Sequence, residues 1–329
     1  MLKKLSLTLI VIMFVSGFLF AAGQQEGTSE EVVIAIHVEP DHKMFDVGRM
    51  VKEIVEEETE GRLTVTLLGA EVGGERDHLE GVKSGEYDIA LGGSVTLTLY
   101  APEFAAPDIP FVYPSTEAAR KLYTGKIGNL MNDALVKNGN MRLIATSIRN
   151  PRNLTANKPI KNPQDLNGVK LRVPEIESWV KIWSSMGAIA TPIAWPEVYT
   201  SLQTGVIGAQ ENPVDQIWNG RIYEVNDYLM KTEHVYSFFH WVINNDFYTD
   251  LNEVDKDILL TAVENATAWG DEQVVGGAKE LENTLTNEYG MTVVQTDNDA
   301  FRAKAKNAIK EVAASFHPEV EDYVLSFIE

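Results

Sequence analysis

The sequence predicts an α/β protein of two lobes, and three observations carry that expectation. Short apolar segments with strand-like alternation recur near the start, in the middle and towards the end of the chain. Stretches of helical periodicity separate them, the rhythm that parallel strands and crossover helices produce. A length of 329 residues, 44% of them hydrophobic, is enough for two domains with cores of ordinary size.

Each element has its own justification. Residues 32–38 (VVIAIHV) read as a first strand. Met44, Phe45, Val47, Met50, Val51, Ile54 and Val55 then keep helical spacing over 44–58, and Gly61 ends that helix. Residues 62–68 alternate as a second strand, 75–84 form a second helix, and 87–91 follow Gly85 as a third strand. Pro102, Pro107, Pro110 and Pro114 make a rigid connection to a helix at 116–123, and a strand follows at 141–147. Asn162-Pro163 through Gly168 punctuate the entry to a strand carrying Val169, Leu171 and Val173, which stops at Pro174. Helices are expected at 176–186 and 196–204, with short strands at 206–209 and 238–244. Ile258, Leu259, Ala262, Val263, Ala266 and Trp269 mark a long helix over 253–288. A strand at 291–295 and helices at 299–316 and 318–328 complete the reading. A ligand held between the two lobes is the usual arrangement for such a chain.

The first 23 residues read as a secretory signal. Lys3 and Lys4 precede an apolar run at 5–20, and Ala21, Ala22 and Gly23 offer a cleavage site. That run is shorter than the roughly 20 residues of a membrane span. There is no cysteine, hence no disulfide framework, no thiolate metal site and no residue after the signal to carry a lipid. A free periplasmic protein without a lipid anchor is expected. The net charge of −20 argues against nucleic acid and anionic membrane surfaces as partners. It also requires that an anionic ligand be captured by a few local arginines.

Enzyme signatures are absent: there is no GxSxG, no P-loop and no GxGxxG after a strand. The six histidines form no HExxH or HxH pattern, so neither metal nor cofactor is expected. The strongest chemical signal is Arg172, an arginine inside an apolar strand. Such a charge is costly unless paired, and no carboxylate on the neighbouring strand residues is placed to pair with it. The economical partner is the carboxylate of a ligand, which a guanidinium fork matches bidentately. Arg149 and Arg152, just before the strand-like segment NLTANKPI, are candidates for a second cationic contact. Glu75 and Glu175 can accept from ligand hydroxyls, and His37 ends the first strand, where α/β proteins often meet ligands. Trp195 and Trp179 can pack on an apolar ligand face, and the polar pair Glu211-Asn212 is stopped by Pro213.

At these residues the chain resembles the extracytoplasmic solute-binding subunit of tripartite ATP-independent periplasmic (TRAP) transporters, the DctP family. The shared segments are GAEVGGERDHLEGVKSGEYDIA (69–90), PDIPFVY (107–113), NGVKLRVP (167–174), PIAWPEVYTSLQTGVIGAQENP (192–213) and YEVNDYL (223–229). The resemblance covers nearly the whole mature chain, and these segments are its markers. The resemblance implies a periplasmic binding protein fold of two lobes, each a mixed sheet flanked by helices, with a long helix bridging them. It implies lobes built from 30–149 plus 239–277 and from 150–238 plus 278–329. It implies that Arg172 of LRVP binds the ligand carboxylate, with Arg152 and Asn212 assisting and Trp195 lining the pocket. Glu75 and Glu175 fall at positions that vary with substrate. The partners implied are the small and large integral membrane subunits.

Two departures narrow the ligand. Sialic-acid binders of this family carry an acidic residue after the third strand, where this chain has Gly92-Gly93, and tend to have Asn where it has Glu175. Glu175, Glu75 and His37 suit a ligand with several hydroxyls and one carboxylate. The expectation is a hexuronate or related sugar acid, with a C4-dicarboxylate as the alternative. An exported sugar-acid lyase or isomerase is the alternative of another class.

Overall fold

A computed structural model describes residues 29–329. The expected signal segment lies outside these residues. Two mixed sheets organise the chain, and eleven strands build them among the described residues. The first sheet contains β1 (Glu30–Ile36), β2 (Leu63–Leu68), β3 (Ile89–Gly92) and β4 (Met141–Ile148). The second contains β5 (Asn153–Ala156), β6 (Lys170–Val173), β7 (Ile189–Pro192), β8 (Ala209–Asn212) and β9 (Tyr228–Met230). The chain then returns to the first sheet with β10 (Phe238–Asn244) and to the second with β11 (Thr292–Val294). Strand order is β2-β1-β3-β10-β4 in one and β11-β9-β5-β8-β6-β7 in the other. β1 runs parallel to β2 and β3, whereas β10 is antiparallel to both its neighbours.

The first helix buries the stripe its sequence advertises. In Lys43–Glu58, Met44, Phe45, Val47, Val51 and Val55 are buried against the sheet, and the His42 ring caps the helix by accepting from Met44 N at 3.0 Å. The long helix Glu253–Asn287 begins with Asn252 accepting from Asp255 N at 3.0 Å. At about 1.5 Å per residue its 35 residues reach on the order of 50 Å. Leu259, Val263, Ala266 and Val274 pack into the first-lobe core, while Ala278, Leu281 and Leu285 pack with Ile217, Ile222 and Leu229 of the second lobe. This helix therefore bridges the two bodies. No helix among the described residues is long and apolar enough to cross a membrane.

The sequence reading missed several short elements, for physical reasons. Val95–Tyr100 (VTLTLY) has a strand-like composition but folds as a helix, because the Glu75 carboxylate accepts from the amides of Gly93, Val95 and Thr96 at its start. The strand expected at 206–209 lies instead at Ala209–Asn212. Its residues Gln210, Glu211 and Asn212 are polar, yet all three are buried, so hydrophobic patterning could not reveal it. Helices Gly125–Gly139 and Val214–Asn219 and strands β7 and β9 were likewise unsignalled.

Candidate ligand-binding site

A small cavity of about 50 Å³ lies in the cleft between the lobes. His37, Glu75, Arg152, Arg172, Glu175, Trp195 and Asn212 all line it, so the structure brings the seven expected residues to one place. Ser94, Val95, Arg149 and Gln216 join them.

The second lobe supplies the cationic wall. Arg172, in the centre of β6, is 4% exposed and donates from Nε to Ile193 O at 2.8 Å. Its two terminal amino groups have no hydrogen bond or ion pair among the described residues. Burial lowers its pKa to about 10, which leaves it charged at neutral pH. Its Cζ stands 5.9 Å from the ring centre of Trp195. Asn212, at the end of β8, donates one amide hydrogen to Gln210 Oε1 at 2.7 Å and keeps a second to offer.

A carboxylate does sit on the neighbouring strand, contrary to the expectation: Glu211 of β8. It is committed elsewhere. Arg152 grips it through Nε at 2.5 Å and through one terminal nitrogen at 2.8 Å, and also donates to the Glu211 carbonyl at 2.8 Å. His234 Nε2 lies 3.0 Å from the same carboxylate. A carboxylate only accepts, so Nε2 carries the proton and Nδ1 accepts from Thr232 Oγ1 at 2.9 Å. Burial alone would raise the Glu211 pKa, but Arg152 and His234 outweigh it and hold the group at about 2. Arg152 thus reaches the cavity wall with its charge already matched. Trp179, weighed as a ligand-packing surface, lies beneath Arg152 with the guanidinium 5.1 Å from its ring centre, and is core.

The first lobe supplies acceptors. His37 Nδ1 lies 2.8 Å from Leu91 O, which fixes the proton on Nδ1 and leaves Nε2 as an acceptor. Burial, with Arg149 nearby, lowers its pKa to about 3, so the ring is neutral. Glu75 Oε1 is held by Gly93 N at 2.6 Å, Val95 N at 3.0 Å and Thr96 N at 3.3 Å, and Oε2 remains. Burial raises the Glu75 pKa against those three amides and Arg149. Gly93 is fixed from behind. Its carbonyl accepts from His240 Nδ1 at 2.8 Å, and His240 Nε2 accepts from the Tyr123 hydroxyl at 2.7 Å. A side chain at Gly92 would meet Thr96 Oγ1 at 2.6 Å, and one at Gly93 would crowd Arg149 at 3.1 Å.

Arg149 is the residue the sequence reading undervalued. It is 4% exposed, stacks 4.3 Å from the Phe239 ring centre, and makes no ion pair within 4 Å among the described residues. Burial and Arg152 lower its pKa to about 10, opposed by Asp215, Glu75 and Asp108. Asp108 is itself buried, and burial raises its pKa to about 7 against the pull of Arg149 and Arg152. Its position in PDIPFVY, amid apolar residues, was the available signal. Glu175 lies at the half-exposed rim, where Arg76 of the first lobe approaches it at 3.6 Å. Among the described residues no cluster of three or more His, Asp or Glu could hold a metal ion.

Two lobes, a bridging helix and an arginine-lined interlobe cavity define an extracytoplasmic solute-binding protein. The chain matches the bacterial extracellular solute-binding proteins of family 7 (DctP) over residues 34–317 and belongs to that family, the solute-binding proteins of TRAP transporters. It is 36% identical over 265 residues to a solute-binding protein of Roseobacter denitrificans, covering 80% of this chain and 81% of the relative. A crystal structure of a TRAP periplasmic solute-binding protein from Roseobacter denitrificans with bound L-galactonate superposes with a TM-score of 0.84 at 32% identity, covering 91% and 98% of the chains. One from Chromohalobacter salexigens with bound D-glucuronate gives 0.83 at 26%, covering 90% and 99%.

Proposed function

We propose that the protein is exported by a cleaved signal at 1–23, and captures a hydroxylated monocarboxylate, a hexuronate or related sugar acid, in the interlobe cavity. It then delivers this ligand to the small and large membrane subunits of a TRAP transporter. The observation that carries the reading is the asymmetry of the cavity. On one side Arg172 has two amino groups without a partner among the described residues, and Asn212 has a spare amide hydrogen. On the other, His37 Nε2 and Glu75 Oε2 are acceptors for hydroxyls. Arg152 has its charge matched by Glu211, and Arg149 is flanked by Glu75, Asp108 and Asp215, so the site favours one negative charge on the ligand. The sugar acids bound by the two related structures support the same class.

Neither the dicarboxylate nor the enzyme alternative gains support. Glu75, on the wall opposite Arg172, disfavours a second ligand carboxylate there. Membership of a family of solute-binding proteins, shared by the related structures, favours binding over catalysis. The lobes are taken as 30–149 plus 239–277 and 150–238 plus 278–329, in keeping with the membership of the two sheets. The C-terminal helix Pro318–Leu325 reaches across to the first segment, with the Tyr323 hydroxyl donating to Ala118 O at 2.8 Å. A thermal-shift screen over uronates, aldonates, keto acids and C4-dicarboxylates tests the reading, since a tight ligand raises the melting temperature by mass action. A shift with sugar acids is expected; a shift confined to succinate or malate would overturn it.

A further inference from the structure

Glu39 lies just beyond β1, on the first lobe, and is not part of the cavity wall. Its carboxylate faces across the cleft. Oε1 accepts from Trp195 Nε1 at 2.8 Å, and Oε2 accepts from Gln216 Nε2 at 3.4 Å. Both partners belong to the second lobe and both line the cavity. Because a carboxylate can only accept, this contact dictates how each partner is turned. Trp195 must direct its N–H at Glu39, and Gln216 must direct its amide nitrogen there. Gln216 Oε1 is then left buried and without a partner among the described residues, on a side chain only 3% exposed. A buried amide oxygen in that condition calls for a donor.

The indole is held on its other sides as well. A side chain at Gly220 would lie 2.5 Å from Trp195 Cζ2, so only glycine leaves space for the ring there. Arg172 stands at its face. Glu39 is the one of these contacts that comes from the opposite lobe, so it is made when the lobes close and lost when they part.

We propose that Glu39 is a positioning residue for ligand capture, locking the Trp195 indole beside Arg172 and turning Gln216 Oε1 towards a ligand hydroxyl only in the closed state. The hydroxyl part of this inference rests on the sugar-acid reading; the indole part does not. As the contact belongs to the closed state, its loss acts on ligand escape rather than on encounter.

The test compares wild type, Glu39→Ala, Glu39→Gln, Trp195→Phe and the Glu39→Ala/Trp195→Phe double variant by stopped-flow, with L-galactonate and D-glucuronate as probes. Glu39→Ala removes the 2.8 Å hydrogen bond from Trp195 and the longer one from Gln216, and should raise the dissociation rate about tenfold while association stays within about twofold. Glu39→Gln keeps an acceptor for the indole and should recover more than half of that loss. The double variant should be no worse than the weaker single variant. Unchanged dissociation in Glu39→Ala, a loss confined to association, or equal losses in Ala and Gln variants would overturn the assignment. A readout of the contact itself, in protein saturated with whichever acid binds, C4-dicarboxylates included, separates it from the sugar-acid reading. The Trp195 indole N–H resonance, identified by its absence in Trp195→Phe, should move in Glu39→Ala and stay near its wild-type position in Glu39→Gln. If only a C4-dicarboxylate binds wild type and the resonance of that complex moves as stated, the sugar-acid reading fails and the Glu39 assignment stands. A resonance unmoved by Glu39→Ala overturns the assignment whatever the ligand.

Discussion

Arg172 and Arg152 stand on adjoining parts of the same wall, both almost fully buried, yet they have opposite electrostatic histories. Arg152 is closed into a set with Glu211, His234 and Thr232, its Nε and one terminal nitrogen both on the Glu211 carboxylate. Arg172 keeps one backbone acceptor and two free amino groups turned to the cavity. The contrast teaches that burial alone does not set Arg172 apart from Arg152; the lack of an ion pair among the described residues does, and Arg149 shares it. The opposing wall repeats the lesson with other chemistry. His240 is satisfied on both ring nitrogens, whereas His37 is satisfied on one and offers the other.

The sharpest way to break this contrast is to truncate each arginine and ask what fails. Arg152→Ala leaves Glu211 buried and unpaired, which should destabilise the fold by about 3–5 kcal/mol. Chemical denaturation of the ligand-free variant measures it, and a loss under about 1 kcal/mol would dissolve the distinction.

Asp108 sharpens the comparison from the side of pH. Its folded pKa of about 7 lies above the unfolded value near 3.8, so the folded state holds the proton longer. That contribution is full below pH 3.8 and is lost as pH rises through 7. Asp108→Asn should therefore gain stability relative to wild type between pH 4 and pH 8, by on the order of 4 kcal/mol if the whole shift is expressed. Denaturation curves of the pair at several pH values give the answer, and a difference independent of pH would refute it. His37 has the opposite sign. Its folded pKa of about 3 lies below 6.5, so its contribution is full above pH 6.5 and declines as pH falls towards 3.

Arg172→Ala should behave unlike Arg152→Ala. It removes a buried charge that no protein carboxylate answers, so the ligand-free fold should keep its stability to within about 1 kcal/mol. Binding of a sugar acid should weaken at least about tenfold, since hydrogen bonds to a charged group contribute roughly 1.5–3 kcal/mol each. Calorimetry and a melting curve on one preparation decide both halves.

The smallest expected effect concerns the bridge between the lobes. Gly276 and Gly277 sit inside the long helix, where it leaves the first-lobe core at Val274 and enters the second at Ala278. A Cβ at either position would meet nothing within 4 Å, so packing does not require glycine there. Each Gly→Ala change should stabilise the ligand-free protein by about 0.5–1 kcal/mol through helix propensity. A destabilisation would show that these residues hold a strained geometry instead.

How much of this was legible beforehand follows from the same physics. Strands and helices with apolar periodicity were readable to within a few residues, as at Phe238–Asn244 and Glu75–Ser84. Arg172 was readable because it interrupts such a pattern. The partner of Arg152 was not, because Glu211 lies on a strand whose buried face is polar and carries no hydrophobic signature. The helix Val95–Tyr100 was hidden because a carboxylate twenty residues upstream caps it. Glu39 had no signal at all: it is a loop carboxylate whose importance exists only across the cleft.

The most direct test is a crystal structure of the protein grown with L-galactonate or D-glucuronate. The ligand carboxylate should lie within hydrogen-bond reach of the Arg172 terminal nitrogens and the Asn212 amide, with its hydroxyls towards His37 and Glu75. A carboxylate seated instead on Arg149 or Arg152, with Arg172 left to water, would contradict the account.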